Sequence, residues 1–166
     1  FGRRGEGPGE FTVPQQLATT ASGDIIAYDP AQTRLSHFGP TGVLRVASRL
    51  PFPITYVKGL LADGNHAYIS GVSSAGPASQ HILHKVSLQG EHVRSFGAPS
   101  TDLPAGFERL IADAGPLVWG PERKSIWLSR GGPTLQLLQF STRGDLIRSI
   151  SVPTPLVPEW TSRMTV

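Results

Sequence analysis

Short apolar segments alternate with glycine-centred turns along most of the chain. Three of these turns contain Gly42, Gly90 and Gly144, and each is flanked by segments of alternating apolar and polar residues, as in a β-hairpin. The three glycines lie 48 and 54 residues apart, so the hairpins recur as an internal repeat. The paired segments are 34–38 with 41–45, 82–88 with 92–96, and 135–140 with 146–150.

A second hairpin precedes the outer hairpin in each of the first two repeats. Both of these inner hairpins turn at a glycine beside an aspartate, a combination that favours tight turns. Each repeat therefore supplies four short strands. The inner pairs are 16–20 with 25–29 around Gly23, and 59–62 with 66–70 around Gly64.

The third repeat allows two inner hairpins. Residues 117–119 can pair with 125–128 or with 110–112. We favour the first pairing, because its spacing between inner and outer turns matches the first repeat. Residues 107–115 then form an inserted loop or a short helical turn.

Four short antiparallel strands per repeat form the blade of a β-propeller. The sequence therefore predicts an all-β fold, a partial propeller of about three four-stranded blades plus the start of a fourth. We expect one domain over residues 1–166. Its blades are approximately 11–50, 51–98 and 107–152, and residues 153–166 begin the next one.

The first 50 residues carry a more specific pattern. Residues 1–11 read as a connector between blades, and they are followed by Pro14, Leu17-Ala18, Ser22-Gly23-Asp24, Tyr28-Asp29, Arg34-Leu35 and Phe38 before Gly42. This order resembles the NHL-repeat family. The second and third repeats keep the turns but resemble the broader group of six-bladed, TolB-like propellers. The resemblance implies a rigid ring with exposed loops, and an exported location is expected from it alone.

Both ends of the chain correspond to positions inside a repeat. Phe1-Gly2 matches Phe96-Gly97, and 150–153 matches 96–99. Because a closed propeller has about four to eight blades, three blades leave two apolar flanks uncovered. We expect the remaining blades of a longer chain, or a second copy, to close the ring.

The composition narrows the function classes. The chain is 39% hydrophobic and 16% charged, which is typical of a folded globular domain, and it has no apolar stretch long enough to span a membrane. It has no cysteine, which excludes disulfides and thiolate chemistry. The net charge of +3 comes from arginines scattered along the sequence, which can still converge on one face of a fold, but on charge alone we do not expect a nucleic-acid footprint.

Four acidic residues are candidate metal ligands, because propeller enzymes resembling gluconolactonases gather carboxylate and amide ligands around a central channel. They are Asp29, Asp63, Glu108 and Asp113. Each also lies at a turn or strand end, where a carboxylate commonly binds backbone N–H groups. We favour this structural role, so no metal site and no cofactor is predicted.

The histidines do not form a metal pair by spacing. His81 and His84 lie three apart, and such residues point to opposite faces of an extended strand. His66 and His92 lie on different predicted strands, without a carboxylate placed to complete a site.

Two short motifs have structural explanations. Residues 5–9 are glycine-rich but lead into a strand rather than a helix, unlike a phosphate loop. Arg143-Gly144-Asp145 spells an adhesion tripeptide but occupies the outer turn of the third repeat.

Recognition is expected on the loops of one face. The longest inserted loop, 70–79, is rich in Ser, Gly and Ala and is flexible by composition, and we expect a partner there. Tyr28, Tyr68, Trp119 and Trp127 could stack on bases or sugars, but strand-end aromatics more often pack between blades.

No residues form a recognisable catalytic constellation. The sequence favours a non-catalytic binding or scaffold module for a protein or small-molecule ligand. The alternatives are a metal-dependent hydrolase or lyase resembling the gluconolactonase-like propellers, and an RNA-binding NHL domain.

Overall fold

A computed structural model describes residues 2–99, 113–131 and 135–152. They form three four-stranded antiparallel sheets and two short 3-10 helices, so the fold is an all-β partial propeller. Among these residues we find no helix with the length and apolar character of a membrane span. Sheet 1 contains β1 (Gln16–Thr19), β2 (Ile25–Asp29), β3 (Arg34–Phe38) and β4 (Leu44–Arg49); sheet 2 contains β5 (Thr55–Ala62), β6 (His66–Val72), β7 (Leu83–Ser87) and β8 (His92–Phe96); sheet 3 contains β9 (Leu117–Trp119), β10 (Ser125–Arg130), β11 (Leu135–Ser141) and β12 (Leu146–Val152).

Each sheet is a simple meander in which neighbouring strands follow one another in sequence. The outer hairpins and the first two inner hairpins predicted from the turn glycines are therefore confirmed. In the third repeat Trp119 pairs with Ile126, which confirms the favoured inner hairpin. Residues 110–112, and most of the predicted insertion at 107–115, lie outside the described residues, as does the predicted fourth blade at 153–166.

The strand registers show which positions of the three sheets are equivalent. In each sheet, the strand that leads into the outer turn carries an apolar residue that pairs with the inner hairpin. Phe38 pairs with Ile25 in sheet 1, Val86 with Ala67 in sheet 2, and Phe140 with Ile126 in sheet 3. We call the face that carries these residues the first face of each sheet, and the opposite one the second face. Because side chains alternate along a strand, the neighbouring residues Ile26, Tyr68 and Trp127 lie on second faces.

Two apolar cores lie between consecutive sheets. The second face of sheet 1 packs on the first face of sheet 2, and the second face of sheet 2 packs on the first face of sheet 3. Sheet 2 is thus covered on both sides. The first core includes Ile26, Tyr28, Leu35, Ile54, Leu60, Ile69 and Val86. The second includes Tyr68, Leu83, Phe96, Leu117, Ile126, Leu128 and Phe140.

Outer turns pack against the preceding sheet. A Cβ added to Gly90 would lie 2.8 Å from the Arg49 carbonyl oxygen of β4, and one added to Gly144 would lie 2.8 Å from the Phe96 ring of β8. Both glycines have positive φ, at +90° and +95°, which side chains with a Cβ rarely adopt. Glycine therefore permits both the turn and the close contact between sheets.

The inserted loop contains more regular structure than its composition predicts. Strand β6 continues to Val72, and residues Gly76–Gln80 form a 3-10 helix with a proline at its start. Proline suits that position because its fixed φ matches the first helical turn. The Gly71 N–H donates to the Ile82 carbonyl at 3.1 Å, which joins the two ends of the loop.

Candidate functional site

Asp29, at the end of β2, binds backbone rather than facing an open channel. Its Oδ2 accepts hydrogen bonds from the N–H groups of Thr12 and Val13, at 2.6 and 3.1 Å. Its Oδ1 accepts from the N–H groups of Ala31 and Gln32, at 3.0 and 3.3 Å. The buried carboxylate therefore joins the chain before β1 to the β2–β3 loop.

Asp63 organises the β5–β6 turn in a similar way. Its Oδ1 accepts from the N–H groups of Asn65 and His66, at 2.8 and 2.7 Å, and its Oδ2 accepts from the Tyr68 hydroxyl at 3.0 Å. Burial opposes the carboxylate charge, but these hydrogen bonds outweigh it and hold the pKa of Asp63 below its ordinary value. The hydroxyl in turn is a poor acid, because burial and the nearby carboxylate raise the pKa of Tyr68.

Asp113 is fully buried before β9, beside a guanidinium. The Arg130 Nε lies 3.7 Å from Asp113 Oδ1, and the same arginine donates to the Ala98 carbonyl and, at 3.3 Å, to Gln136. Arg130 therefore connects sheet 3 to the end of sheet 2. Glu108, the fourth acidic candidate, lies outside the described residues.

The described acidic candidates do not converge. Asp29 is the last residue of β2, whereas Asp63 precedes β6, the equivalent strand of the next sheet, so the two lie at opposite ends of the sheets. His81 belongs to the loop before β7, where its N–H donates to the Ala78 carbonyl at 3.1 Å. Within residues 2–99, 113–131 and 135–152, no three His, Asp or Glu side chains are arranged to hold a metal ion.

Sequence reasoning missed a charged cluster at the β1–β2 turn. The Asp24 Oδ2 lies 3.1 Å from His37 Nε2 and accepts from Arg45 Nη1 at 2.8 Å. The pairing of β2 with β3 indicates this proximity, because residue 24 directly precedes β2 and β2 begins beside the end of β3. The cluster joins the β1–β2 turn to β3 and β4, and none of the grooves described below includes these residues.

His84 is buried inside sheet 2. Its Nδ1 lies 2.9 Å from the Ser95 hydroxyl and its Nε2 lies 3.3 Å from the Gly71 carbonyl, so a neutral ring satisfies both contacts. Burial lowers the pKa of His84 to about 4. The Phe52 ring packs edge-on against His84 and against the exposed His92, at centroid distances of 5.8 and 5.0 Å.

The two short motifs have structural roles. In the glycine-rich run, Glu10 accepts from the Gly7 N–H at 2.9 Å and from Arg3 Nε at 2.6 Å, which closes the connector on itself. In the Arg-Gly-Asp turn, the Arg143 carbonyl accepts from Arg94 of sheet 2 at 2.8 Å. Both motifs therefore stabilise the propeller scaffold.

Three of the four aromatic candidates, Tyr28, Tyr68 and Trp119, pack across the junctions between sheets, as predicted for strand-end aromatics. The Tyr28 hydroxyl donates to the Ile54 carbonyl at 3.0 Å, across the junction of sheets 1 and 2. Tyr68 of sheet 2 packs edge-on against Trp119 of sheet 3, with ring centroids 5.5 Å apart. Trp127, on the second face of sheet 3, is only partly buried.

Loops at one end of the sheets form a candidate binding surface. A groove of about 400 Å³ lies where sheets 1 and 2 meet, beside the loop that Asp29 fixes. Tyr56 on its rim is 50% exposed and has a φ of +50°, which is strained for a bulky residue. Because strained backbone is common at functional sites, Tyr56 is a candidate binding residue. The groove is lined by Val13, Gln15, Pro30, Ala31, Thr55 and Tyr56.

The inserted loop adds a second, smaller groove at sheet 2. Its volume is about 250 Å³, and it lies between the 3-10 helix and the segment that enters β5. The lining is mainly apolar, with one exposed imidazole. It comprises Pro51, Phe52, Ala75, Gly76, Ala78 and His92.

Comparisons with known proteins support the propeller fold. No protein-family model matches the chain, and no curated protein sequence matches it significantly. Among solved structures, virginiamycin B lyase from Staphylococcus aureus aligns over 86% of this chain and 42% of its own, at 15% identity and a TM-score of 0.56. Hydrazine synthase from Kuenenia stuttgartiensis aligns over 86% of this chain and 36% of its own, at 11% identity and a TM-score of 0.56.

A quinoprotein alcohol dehydrogenase-like protein from Bacteroides thetaiotaomicron gives the same TM-score of 0.56, at 11% identity, over 86% of this chain and 35% of its own. All three neighbours are propeller-type proteins. At such low identity they share the fold with this chain, and the fold alone does not carry their activities across. The chain spans less than half the length of each.

Proposed function

We propose that the chain is a non-catalytic binding or scaffold module of the propeller type. Its ligand, a protein or a small molecule, contacts the loop end formed by the Tyr56 groove and the 70–79 loop. The main support for this proposal is that the candidate carboxylates already accept hydrogen bonds from groups of the fold. Asp29 and Asp63 together accept hydrogen bonds from seven backbone or hydroxyl donors, which leaves little capacity for a catalytic metal.

The arginines support this reading over RNA binding. Arg34 donates to the Glu6 carbonyl at 2.8 Å, and Arg148 donates to the Gln139 side chain at 2.7 Å. Arg45 and Arg94 are likewise bonded within the fold. Guanidinium groups held in this way are less available to phosphates than a free basic patch.

The scaffold we propose is NHL-like and six-bladed, with blades at 11–50, 51–98 and 107–152. Further blades of a longer chain, or a second copy, complete the ring. Two features support this proposal. Each sheet has four strands in sequential order, and the connector at residues 1–11 precedes the strands of the first repeat.

Thermal unfolding with and without divalent metal tests the non-catalytic assignment. A metal at about 100 times its Kd would stabilise the fold by about 2.7 kcal/mol, which is several degrees in Tm for a chain of this size. We expect no change in Tm with calcium, magnesium, manganese or zinc. A rise that Asp29→Asn or Asp63→Asn abolishes, and that Glu6→Gln at an exposed carboxylate leaves intact, would favour the hydrolase or lyase alternative.

Titration with single-stranded poly(U) RNA at low salt separates the remaining alternative. The proposal predicts no saturable binding. Binding that weakens steeply as salt is raised would instead indicate a phosphate-recognising surface.

A further inference from the structure

A bulge in β5 turns Tyr56 out of the strand ladder and toward the Tyr56 groove. Pairing with β6 breaks after Thr55 and resumes at Gly59. The three residues between them lie opposite the single residue Gly71, where an added Cβ would come within 2.9 Å of the Thr55 carbonyl oxygen. Bulges re-aim side chains and are common beside active sites. The strained backbone of Tyr56 therefore belongs to a bulge that presents the ring at the groove.

One buried carboxylate fixes two walls of this groove in advance. Asp29 accepts from the Val13 N–H at 3.1 Å and from the Ala31 N–H at 3.0 Å. At the third wall the Thr55 hydroxyl donates to the Val72 carbonyl at 3.3 Å. The walls belong to sheets 1 and 2, which pack against each other through the first core. The groove volume of about 400 Å³ suits a small molecule, and fixed walls lose little conformational entropy on binding.

The groove end of sheets 1 and 2 is uncharged along the segments that enter or join their strands. The segments contain no Lys, Arg, Asp or Glu, and they are 12–15, 30–33, 50–54 and 73–82. The turns at the opposite end carry Asp24, Asp63 and Glu91. Lys58 in β5 is exposed but does not line the groove. Because a charged ligand would lose hydration here without gaining a countercharge, charge complementarity favours an uncharged ligand.

The groove combines an aromatic face with an unused amide. Tyr56 is half exposed. The exposed Gln15 uses its backbone N–H to bond the Tyr28 carbonyl at 3.1 Å, and its side chain makes no hydrogen bond within the described residues. An amide donates and accepts, as sugar hydroxyls do. The negative face of an aromatic ring attracts the slightly positive C–H groups of a sugar ring. A saccharide therefore matches both features.

An extended peptide matches the groove less well. Strand addition needs a regular ladder edge, whereas the β5 residues at the groove are bulged out of the ladder. Recognition of a polyproline helix uses a groove lined by aromatic rings, and Tyr56 is the single aromatic residue of the described lining. The chemistry of the groove thus favours a sugar over a peptide.

We propose that the Tyr56 groove binds an uncharged saccharide, with one sugar ring stacked on Tyr56 and its hydroxyls bonded to the Gln15 amide. The inference rests on the binding module proposed above and names its ligand class. The saccharide is bound without being cleaved.

Isothermal titration calorimetry of the 166-residue chain with four uncharged oligosaccharides tests the proposal. They are cellohexaose, xylohexaose, maltohexaose and N-acetylated chitohexaose. We expect saturable binding to at least one of them. A poly-L-proline decapeptide and an acidic oligogalacturonate are the comparison ligands and are expected not to bind. Failure of all four oligosaccharides to bind, or tighter binding of either comparison ligand, would overturn the proposal.

Two substitutions test the ring and the amide separately. Tyr56→Asn removes the ring but keeps a residue that tolerates positive φ, and it should weaken binding about tenfold or more. Gln15→Met removes the amide at similar length, and it should weaken binding about two- to tenfold, the range of one hydrogen bond. Val43→Asn and Gln89→Met, at exposed positions of the opposite end, are the matched controls and should bind as the wild type does.

Circular dichroism on each variant checks that the fold is kept. Unchanged affinity in a folded Tyr56→Asn variant would place the saccharide elsewhere and overturn the proposal. Equal weakening by Val43→Asn and Tyr56→Asn would do the same, since it would show that binding does not depend on the groove.

The outcome is separable from that of the proposed function. Binding of the proline peptide in place of every oligosaccharide would remove the saccharide but leave the binding module in place. Shortened oligosaccharides after incubation, or a metal-dependent rise in Tm, would contradict the non-catalytic assignment even if Tyr56→Asn abolished binding.

Discussion

Two of the candidate carboxylates bind mainly backbone N–H groups. Asp29 and Asp63 were predicted from sequence to lie at a strand end and a turn, and in the structure each binds N–H groups of its own loop. Aspartate is favoured in such loops because its short side chain reaches the N–H groups two and three residues ahead. What the sequence could not indicate is the second set of partners of Asp29, since Thr12 and Val13 are brought there by the fold.

His84 makes the stability of the fold depend on pH. Because its pKa falls from 6.5 to about 4 on folding, the unfolded chain binds more protons than the folded one between these values. The contribution of His84 to the free energy of unfolding is therefore complete above pH 6.5 and is lost as pH falls toward 4. The full loss is about 3 kcal/mol, at 1.36 kcal/mol for each pKa unit.

Urea unfolding of His84→Gln between pH 4.5 and 7 measures this effect. The variant should be less stable at pH 7, because a tightly packed ring is replaced, but its stability should fall less steeply with acid than that of the wild type. His92→Gln, at an exposed imidazole that meets the same Ser95, is the control and should keep nearly the wild-type slope, because His92 is the smallest of the causes that lower the pKa of His84. Parallel slopes for His84→Gln and the wild type would contradict the assignment.

At the scale of strands and turns, most of the fold could be predicted. Gly42, Gly90 and Gly144 located three outer turns because a positive φ there requires a residue without a Cβ. The 3-10 helix at Gly76–Gln80 was not predicted, since Ser, Gly and Ala give no apolar period over so short a segment. The cluster at Asp24 was missed because its partners come from two further strands.

The outer turn of sheet 3 provides a sharp test of the packing between sheets. Gly144→Ala is expected to destabilise the fold by roughly 2–4 kcal/mol, because the new Cβ meets the Phe96 ring and the backbone lies at positive φ. Gly64→Ala is the matched control, since a Cβ there has nothing within 4 Å, and it should change stability by less than about 0.5 kcal/mol. Equal effects of the two substitutions in chemical denaturation would refute a close turn-to-sheet contact.

At the scale of the whole molecule, the middle sheet couples the other two. Its first face contributes Ile69 to one core, and its second face contributes Tyr68 to the other. Adjacent residues of β6 therefore hold opposite cores together. The candidate binding surface could be predicted only in part. The 70–79 loop can be recognised in the sequence, but the Tyr56 groove forms only where sheets 1 and 2 pack together.

This coupling predicts a single unfolding transition. Ile69→Ala should cost about 2–5 kcal/mol and should shift the unfolding of sheet 3 equally, although Ile69 packs toward sheet 1. In a Trp160→Phe background, fluorescence reports Trp119 and Trp127 of sheet 3, and far-ultraviolet circular dichroism reports all strands. Coincident midpoints are expected before and after substitution. A fluorescence midpoint that Ile69→Ala leaves unchanged would mean that sheet 3 unfolds independently.

The hydrogen bond from Gly71 to Ile82 makes the inserted loop a natural place for grafting. Because the bond closes the loop at its base, the registers of β6 and β7 are set before the segment between them begins. Foreign sequence placed beside the exposed Ser74 and Gly76 would extend an already closed hairpin. Doubling the loop would cost only about 0.6 kcal/mol of closure entropy. The same sheets could then carry many different peptide inserts, much as an antibody framework carries different hypervariable loops.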